Sequence, residues 1–361
     1  MPEHKRSVST DSDDGPAPPT QPGGTALALA KRPRTGGGDG GAVVAAAAGP
    51  KRTSGLQAPI MHLTGHGGEV TTCRFSASGE HVASGAADAR VFLWRTYGDC
   101  GNYGVLQGHR GAVLEVQWMA GDARLITASA DATVGVWDAA TGARVRRGRR
   151  HAAAVNACCA LGRDDGNAFA SASDDGAIVL WDARERRPAA AVAEHGAPVT
   201  SLAAAPGAAL LCSGSLDNTI TCWDVRALAA VHTLRGHSDT VMGLAVSPRT
   251  GRYLASTSLD NTVRLWDLRP YCSLPNRCER VLAGAPHGFD MSLIRPAFDA
   301  DEARVASGSA DRTLTIWAVR SGEIQYKLPG HRGCVTQADF HPREPIVLSG
   351  SRDKTLFLGE L

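Results

Sequence analysis

The sequence predicts an all-β fold, a propeller of seven blades, on three observations. First, six of the seven tryptophans follow an aspartate by six residues: Asp88/Trp94, Asp131/Trp137, Asp175/Trp181, Asp217/Trp223, Asp260/Trp266 and Asp311/Trp317. A seventh aspartate, Asp353, has Gly359 at that place. Second, a hydroxyl stands four residues before each aspartate: Ser84, Thr127, Ser171, Ser213, Ser256, Ser307 and Ser349. Third, a histidine precedes each closing position by 28 to 30 residues: His66, His109, His151, His195, His237, His287 and His331. Four residue types thus keep register through seven cycles of about 43 residues, a period that marks stacked supersecondary units.

Each cycle reads as four short strands. In the fifth, Val241 to Val246, Tyr253 to Thr257 and Thr262 to Trp266 are runs of β-branched and aliphatic residues, and a later outer strand follows. Turn clusters such as Ser-Pro-Arg-Thr-Gly and Leu-Asp-Asn bound them. One four-stranded sheet cannot bury both of its faces; seven arranged radially can. The aspartate is placed in the turn between the second and third strands. From there it can accept from backbone amides and from the histidine. The histidine reaches the hydroxyl, and the hydroxyl takes the indole N–H. Ser, His and Asp together suggest hydrolase chemistry. Seven copies at positions that join blades suggest staples, whose buried polar groups must all be satisfied.

The chain ends after the third strand of the last cycle, so its fourth must come from before His66. The segment 57–63 is apolar enough to supply it. We therefore expect a propeller over 56–361, closed by strand 57–63, behind a tail over 1–55. That tail is rich in Gly, Ala, Pro, Ser and Thr and has no aromatic residue, so it is expected to be disordered. Its run Lys31-Arg32-Pro33-Arg34, with Arg32 and Arg34 flanking the proline, has the character of a nuclear import signal. No segment reads as a signal peptide or a membrane span.

The net charge is +2. The tail holds seven Lys/Arg and five Asp/Glu, so the remainder is evenly charged. That argues against a broad face for phosphate backbones. One run departs from neutrality: Arg144, Arg146, Arg147, Arg149 and Arg150, on a predicted outermost strand and the loop to His151. It is either an edge strand protected by charge or a docking patch for RNA or an acidic partner. The nine cysteines include no C-x2-C pair and fit reduced thiols, with Cys73, Cys212 and Cys222 as small core residues. No P-loop, dinucleotide fingerprint, cofactor site or metal motif is present, and no enzymatic site is expected.

The repeats resemble the WD40 family. Trp-Asp ends four of them, at Trp137-Asp138, Trp181-Asp182, Trp223-Asp224 and Trp266-Asp267. Gly-His opens four, at Gly65-His66, Gly108-His109, Gly236-His237 and Gly330-His331. Stretches outside the repeat pattern are similar to the WD40 subunits of the spliceosomal U5 small nuclear ribonucleoprotein. They are Leu56 to Met61, Tyr97 to Tyr103, Arg269-Pro270, Tyr326 to His331, His341 to Ile346 and Leu356 to Glu360. The resemblance implies a nuclear, non-catalytic splicing factor, a monomeric propeller within a complex. It would dock on the large core scaffold protein of the spliceosome beside other U5 particle proteins, with mainly indirect contact to RNA. Expected contacts are Tyr97, Asp99, Asn102 and Tyr103 in one between-blade connection and Pro270, Tyr271, Pro275 and Asn276 in another. Phe289 and Arg295 are further expected contacts on the rim. A second reading is a substrate receptor of a cullin–RING ubiquitin ligase. It rests on three W-D-x-R matches, ending at Arg184, Arg226 and Arg269.

Overall fold

The computed structural model describes residues 53–361, except 163–165, 186, 208–209, 273 and 289–290; for 192–194 it describes the backbone alone. The tail with Lys31, Arg32 and Arg34, and the expected contact Phe289, lie outside the described residues.

The described residues form a seven-bladed β-propeller of seven four-stranded antiparallel sheets, without a helix. Blade 1 runs Val70–Phe75, His81–Ala86, Arg90–Arg95 and Asn102–Gln107, from the inner strand to the outer. Blade 2 repeats the order with Val113–Trp118, Arg124–Ser129, Val134–Asp138 and Arg144–Gly148. Blades 3, 4 and 5 begin at Val155–Ala160, Val199–Ala204 and Val241–Val246. In blade 5 the next strands are Tyr253–Ser258 and Thr262–Asp267, within a residue of expectation. Blade 7 takes three strands from the end of the chain, Val335–Phe340, Ile346–Ser351 and Thr355–Glu360. Its fourth is Ile60–Thr64, paired antiparallel from Ile60↔Gly359 to Thr64↔Thr355.

Blade 6 is irregular. Its inner strand is only Ala297–Phe298. Pro296 has no N–H to give a ladder, and Arg295 instead forms a parallel bridge with Gln337 of blade 7. A loop of blade 6 thereby leans across onto its neighbour.

The core lies between blades. Seven clusters of buried residues each straddle one blade pair. Leu93 and Leu106 of blade 1 meet Val113 and Trp137 of blade 2. Leu63, Leu356 and Leu358 of blade 7 meet Val82, Phe92 and Trp94 of blade 1. The tryptophan of a repeat thus covers the blade before it. Burying a side chain of this size contributes roughly 1.5 to 3 kcal/mol.

Polar groups add a second ring inside. At the second position of the inner strand, Thr200 donates to Val241 O at 2.5 Å and Thr336 to Val70 O at 2.9 Å. Thr71 donates to Val113 O, and Asn156 in the same place donates to Val199 O at 2.9 Å. Blade 5 has Met242 there, and Thr257 takes over, donating to Ile294 O at 2.6 Å. Each bond satisfies a buried carbonyl of the next blade. This register of short polar residues was not read from the sequence, although its signal, a Val-Thr or Val-Asn opening four of the inner strands, is visible there.

Candidate functional site

Four blades, 1, 2, 3 and 5, carry the complete chain of four marker residues. In blade 5, Trp266 Nε1–H donates to Ser256 Oγ at 2.8 Å; Ser256 Oγ lies 2.7 Å from His237 Nε2; His237 Nδ1 lies 2.8 Å from Asp260. An indole only donates and an ionised carboxylate only accepts, so Ser256 Oγ accepts from the Trp266 indole and His237 Nδ1–H donates to Asp260, while one proton links Ser256 Oγ and His237 Nε2. Blade 1 repeats this with Trp94, Ser84, His66 and Asp88 at 2.8, 2.8 and 3.3 Å. Blade 2 uses Trp137, Thr127, His109 and Asp131 at 2.9, 2.7 and 3.2 Å. Blade 3 uses Trp181, Ser171, His151 and Asp175 at 2.7, 2.7 and 3.2 Å. In blade 4, Trp223, Ser213 and His195 connect at 2.7 and 2.7 Å, while Asp217 stands back at 3.9 Å. In blade 7, Ser349, His331 and Asp353 connect at 2.9 and 3.0 Å, and Phe357 packs on His331 in the place of an indole.

The aspartates are caps as well as acceptors. Asp260 takes the N–H and hydroxyl of Thr262 at 2.9 and 2.6 Å and the Ser238 N–H at 3.2 Å. Burial alone would raise such a carboxyl. For Asp131 the bonds from Thr133, Arg110 N–H and His109 outweigh it and hold the pKa at about 2. Asp353 is held at about 2 in the same way by Thr355, Arg332 N–H and His331. Burial depresses His66, His109, His151, His195 and His331, which favours the neutral ring. The hydroxyls have the triad geometry of a hydrolase, but Ser84, Ser171, Ser213 and Ser256 are fully buried beneath the indoles. They meet no substrate there.

Blade 6 departs from the expectation. His287 does not reach Ser307 or Asp311. Both of its ring nitrogens are buried without a partner, and burial pushes it down to about 4. Strand register gives the reason. Thr219 pairs with Arg235, two residues before His237; Thr262 pairs with Ala283, which puts Ala285 in the histidine's place. Alanine cannot bridge. Asp311 takes Lys327 Nζ at 2.7 Å instead, Ser307 donates to Gly308 O at 3.0 Å, and Trp317 donates to Ala283 O at 3.1 Å.

This contrast makes a prediction. Asp260→Ala should cost about 1 to 3 kcal/mol, because a buried histidine loses its acceptor. Asp311→Ala loses a comparable threonine cap, Thr313, but only an exposed lysine. It should cost less, and equal losses in urea unfolding would contradict the role of the histidine link.

A pH dependence follows too. His66, His109, His151, His195, His287 and His331 titrate lower when folded, so their contribution is present above the unfolded value of 6.5 and is lost as pH falls below it. Asp131 and Asp353 contribute above 3.8, and this is lost as pH falls toward about 2. Both effects act in the same direction. The thermal midpoint should decline from about pH 6.5 and more steeply below about pH 4. An optimum on the acid side of pH 5 would contradict this.

The comparisons with known proteins join this geometry. The model of the WD domain, G-beta repeat, matches residues 57–95, 101–138, 142–182, 187–224, 229–267, 286–318 and 322–358. The chain belongs to the WD40-repeat family. The human "U5 small nuclear ribonucleoprotein 40 kDa protein" is 47% identical over 314 residues, 87% of each chain. Its bovine counterpart is 48% identical with the same coverage. The fission-yeast (Schizosaccharomyces pombe) "Pre-mRNA-splicing factor cwf17" is 37% identical over 311 residues, 86% of this chain and 90% of its own.

In WD40 repeats the sequence unit is offset from the blade, and this corrects the placement of the expected contacts. Tyr97 and Asp99 lie in the hairpin between the third and outer strands of blade 1, and Asn102 and Tyr103 begin the outer strand itself. They are not in a between-blade connection. Tyr97 is partly buried, and its hydroxyl donates to Glu344 of the blade 7 side at 2.8 Å. Pro270, Tyr271, Pro275 and Asn276 lie in the corresponding hairpin of blade 5. All four are exposed, Tyr271 at 96%. Arg277 braces this hairpin from within, donating to Arg269 O at 2.6 Å and Pro270 O at 3.2 Å.

Arg295 is not on the rim. It is 1% exposed and lies across the central channel. Its Nη2 donates to Asn156 O of blade 3 at 2.9 Å, its Nε is 3.6 Å from Glu115 of blade 2, and its backbone N–H donates to Thr336 O of blade 7 at 3.0 Å. Its neighbours Ile294, Pro296 and Ala297 are also buried, the one sequence signal that pointed inward.

Of the W-D-x-R arginines, Arg184 and Arg269 fold back on their own Asp182 and Asp267 at 2.6 and 2.5 Å. At Arg226 the backbone N–H donates to Asp224 at 2.7 Å. In the arginine run, Arg144 lies over the Trp137 ring and donates to Gly108 O, and Arg147 pairs with Asp131 at 3.3 Å. Arg146 donates to Arg184 O at 3.1 Å, and Arg149 and Arg150 are exposed.

Proposed function

We propose that this protein is a non-catalytic interaction scaffold of the U5 small nuclear ribonucleoprotein. It acts in pre-mRNA splicing in the nucleus by docking on the large core scaffold protein of the spliceosome. The observation that carries this is near-half identity over 87% of both chains to proteins of that name. A ring stapled at most of its blades suits a platform, since its surface loops are held by a scaffold with little freedom of its own. The exposed blade 5 hairpin, with Pro270, Tyr271, Pro275 and Asn276, is the contact surface we favour, together with Asn102 and Tyr103. The buried hydroxyls support a role without catalysis.

The evenly charged body supports indirect contact with RNA. The isolated full-length protein should bind bare U5 RNA weakly, with affinity falling steeply as salt rises. Tight, sequence-specific binding at physiological salt would overturn the scaffold reading.

A further inference from the structure

The rim between blades 2 and 3 carries more positive charge than the blade 2 staple, which pairs Arg147 with Asp131, takes up. The outer strand Arg144–Gly148 with its following loop, and the turn after Trp181 against which it lies, bring together Arg144, Arg146, Arg147, Arg149, Arg150, Arg184 and Arg187. Asp131, Asp182 and Glu185 are the acidic residues among them; Asp131 is already bridged by Arg147 and Asp182 by Arg184. Beneath this patch is a cleft of about 390 Å³. Arg146, Arg147 and Gly148 line one side, Trp181 and Phe169 the other. Gly148 is required here, because a Cβ would come within 2.9 Å of the Trp181 ring.

We propose that this rim binds an acidic, extended segment of another protein, which adds as a fifth strand to blade 2. The outer strand pairs with its own sheet on one side only, so its other edge presents backbone donors and acceptors to an incoming strand. Arginines along that edge repel a second copy of the same strand and attract a carboxylate-bearing one. Val145, 41% exposed, marks the apolar position of the edge, and the cleft accepts one apolar side chain of the incoming segment. Single-stranded RNA fits less well, because it is held on stacked aromatic rings as well as on charge. Among the described residues the exposed aromatic side chains Tyr103, Tyr271 and Tyr326 lie on blades 1, 5 and 6, while Trp181 and Phe169 are buried. The proposal holds whichever assembly the propeller joins.

The test uses the full-length protein, a fluorescent peptide alternating Glu and Val, and a labelled oligouridine. Fluorescence anisotropy should show salt-sensitive binding of the peptide. Arg149→Glu with Arg150→Glu, both on exposed loop positions, should weaken it about tenfold or more without moving the thermal midpoint. Backbone hydrogen exchange at 144–148 should slow in the peptide complex. Four results would overturn the proposal: no peptide binding, unchanged exchange on that strand, equally tight oligouridine binding lost in the same variant, or self-association lost in that variant.

Discussion

Removing residues 56–64 should open the ring and leave a chain that aggregates. The deletion takes away Ile60–Thr64 and with it the ladder on Thr355–Glu360. It also takes away Leu56 and Leu63, which are buried against Phe92, Trp94 and Leu356. Their burial alone contributes roughly 3 to 6 kcal/mol, a large part of the stability of a typical domain. The exposed edge would be flat and apolar, with Leu356 and Leu358 on it, which is a template for pairing between chains. Light scattering after size exclusion reads the outcome. A monomer with an unchanged thermal midpoint would contradict a closure made by the two ends of the chain. Leu63→Ala, a milder change, should fold and cost about 2 to 5 kcal/mol.

Arg295→Ala should be the most damaging single substitution away from the tryptophans, at about 3 to 5 kcal/mol. The guanidinium joins blades 2 and 3 to the irregular inner edge of blade 6. Its partner Glu115 is as deeply buried, at 2% side-chain exposure, and would keep only the more distant Arg74, at 4.0 Å, as an ionic partner. Glu115 also accepts the Cys158 N–H at 3.0 Å, so it cannot turn away to water without breaking a second bond. Removing both charges should cost less than the sum of the single losses, because neither then leaves the other uncompensated. Urea unfolding of the two single variants and the double variant measures this. A loss below about 1 kcal/mol for Arg295→Ala would mean that the channel is wet and the arginine solvated.

The two cases show what could be read from the chain and what could not. The Asp–Trp spacing is local, six residues across one hairpin, so it survives in blade 6 even though the histidine link does not. That link spans two blades and depends on pairing register, and an offset of two residues, from Ala285 to His287, is invisible to counting. Arg295 misled for a related reason. A lone arginine in a loop normally faces water, and only the tertiary closure of the ring turns this one inward. The arginine run lay where the strand pattern put it, on the outer edge of blade 2. Its side chains divide in a way no spacing reveals: Arg147 caps Asp131, Arg144 covers Trp137, and Arg149 and Arg150 face outward. The hairpin 270–276 was legible as a surface because Pro and Asn cluster there, but its place within blade 5 came from the offset between repeat and blade.

The most direct test of the central claim is a native affinity purification of the full-length protein from nuclear extract, reading proteins by mass spectrometry and small RNAs by sequencing. The scaffold account predicts recovery of the large core protein of the spliceosome together with U5 RNA. Recovery of a cullin adaptor without small nuclear RNA would contradict it.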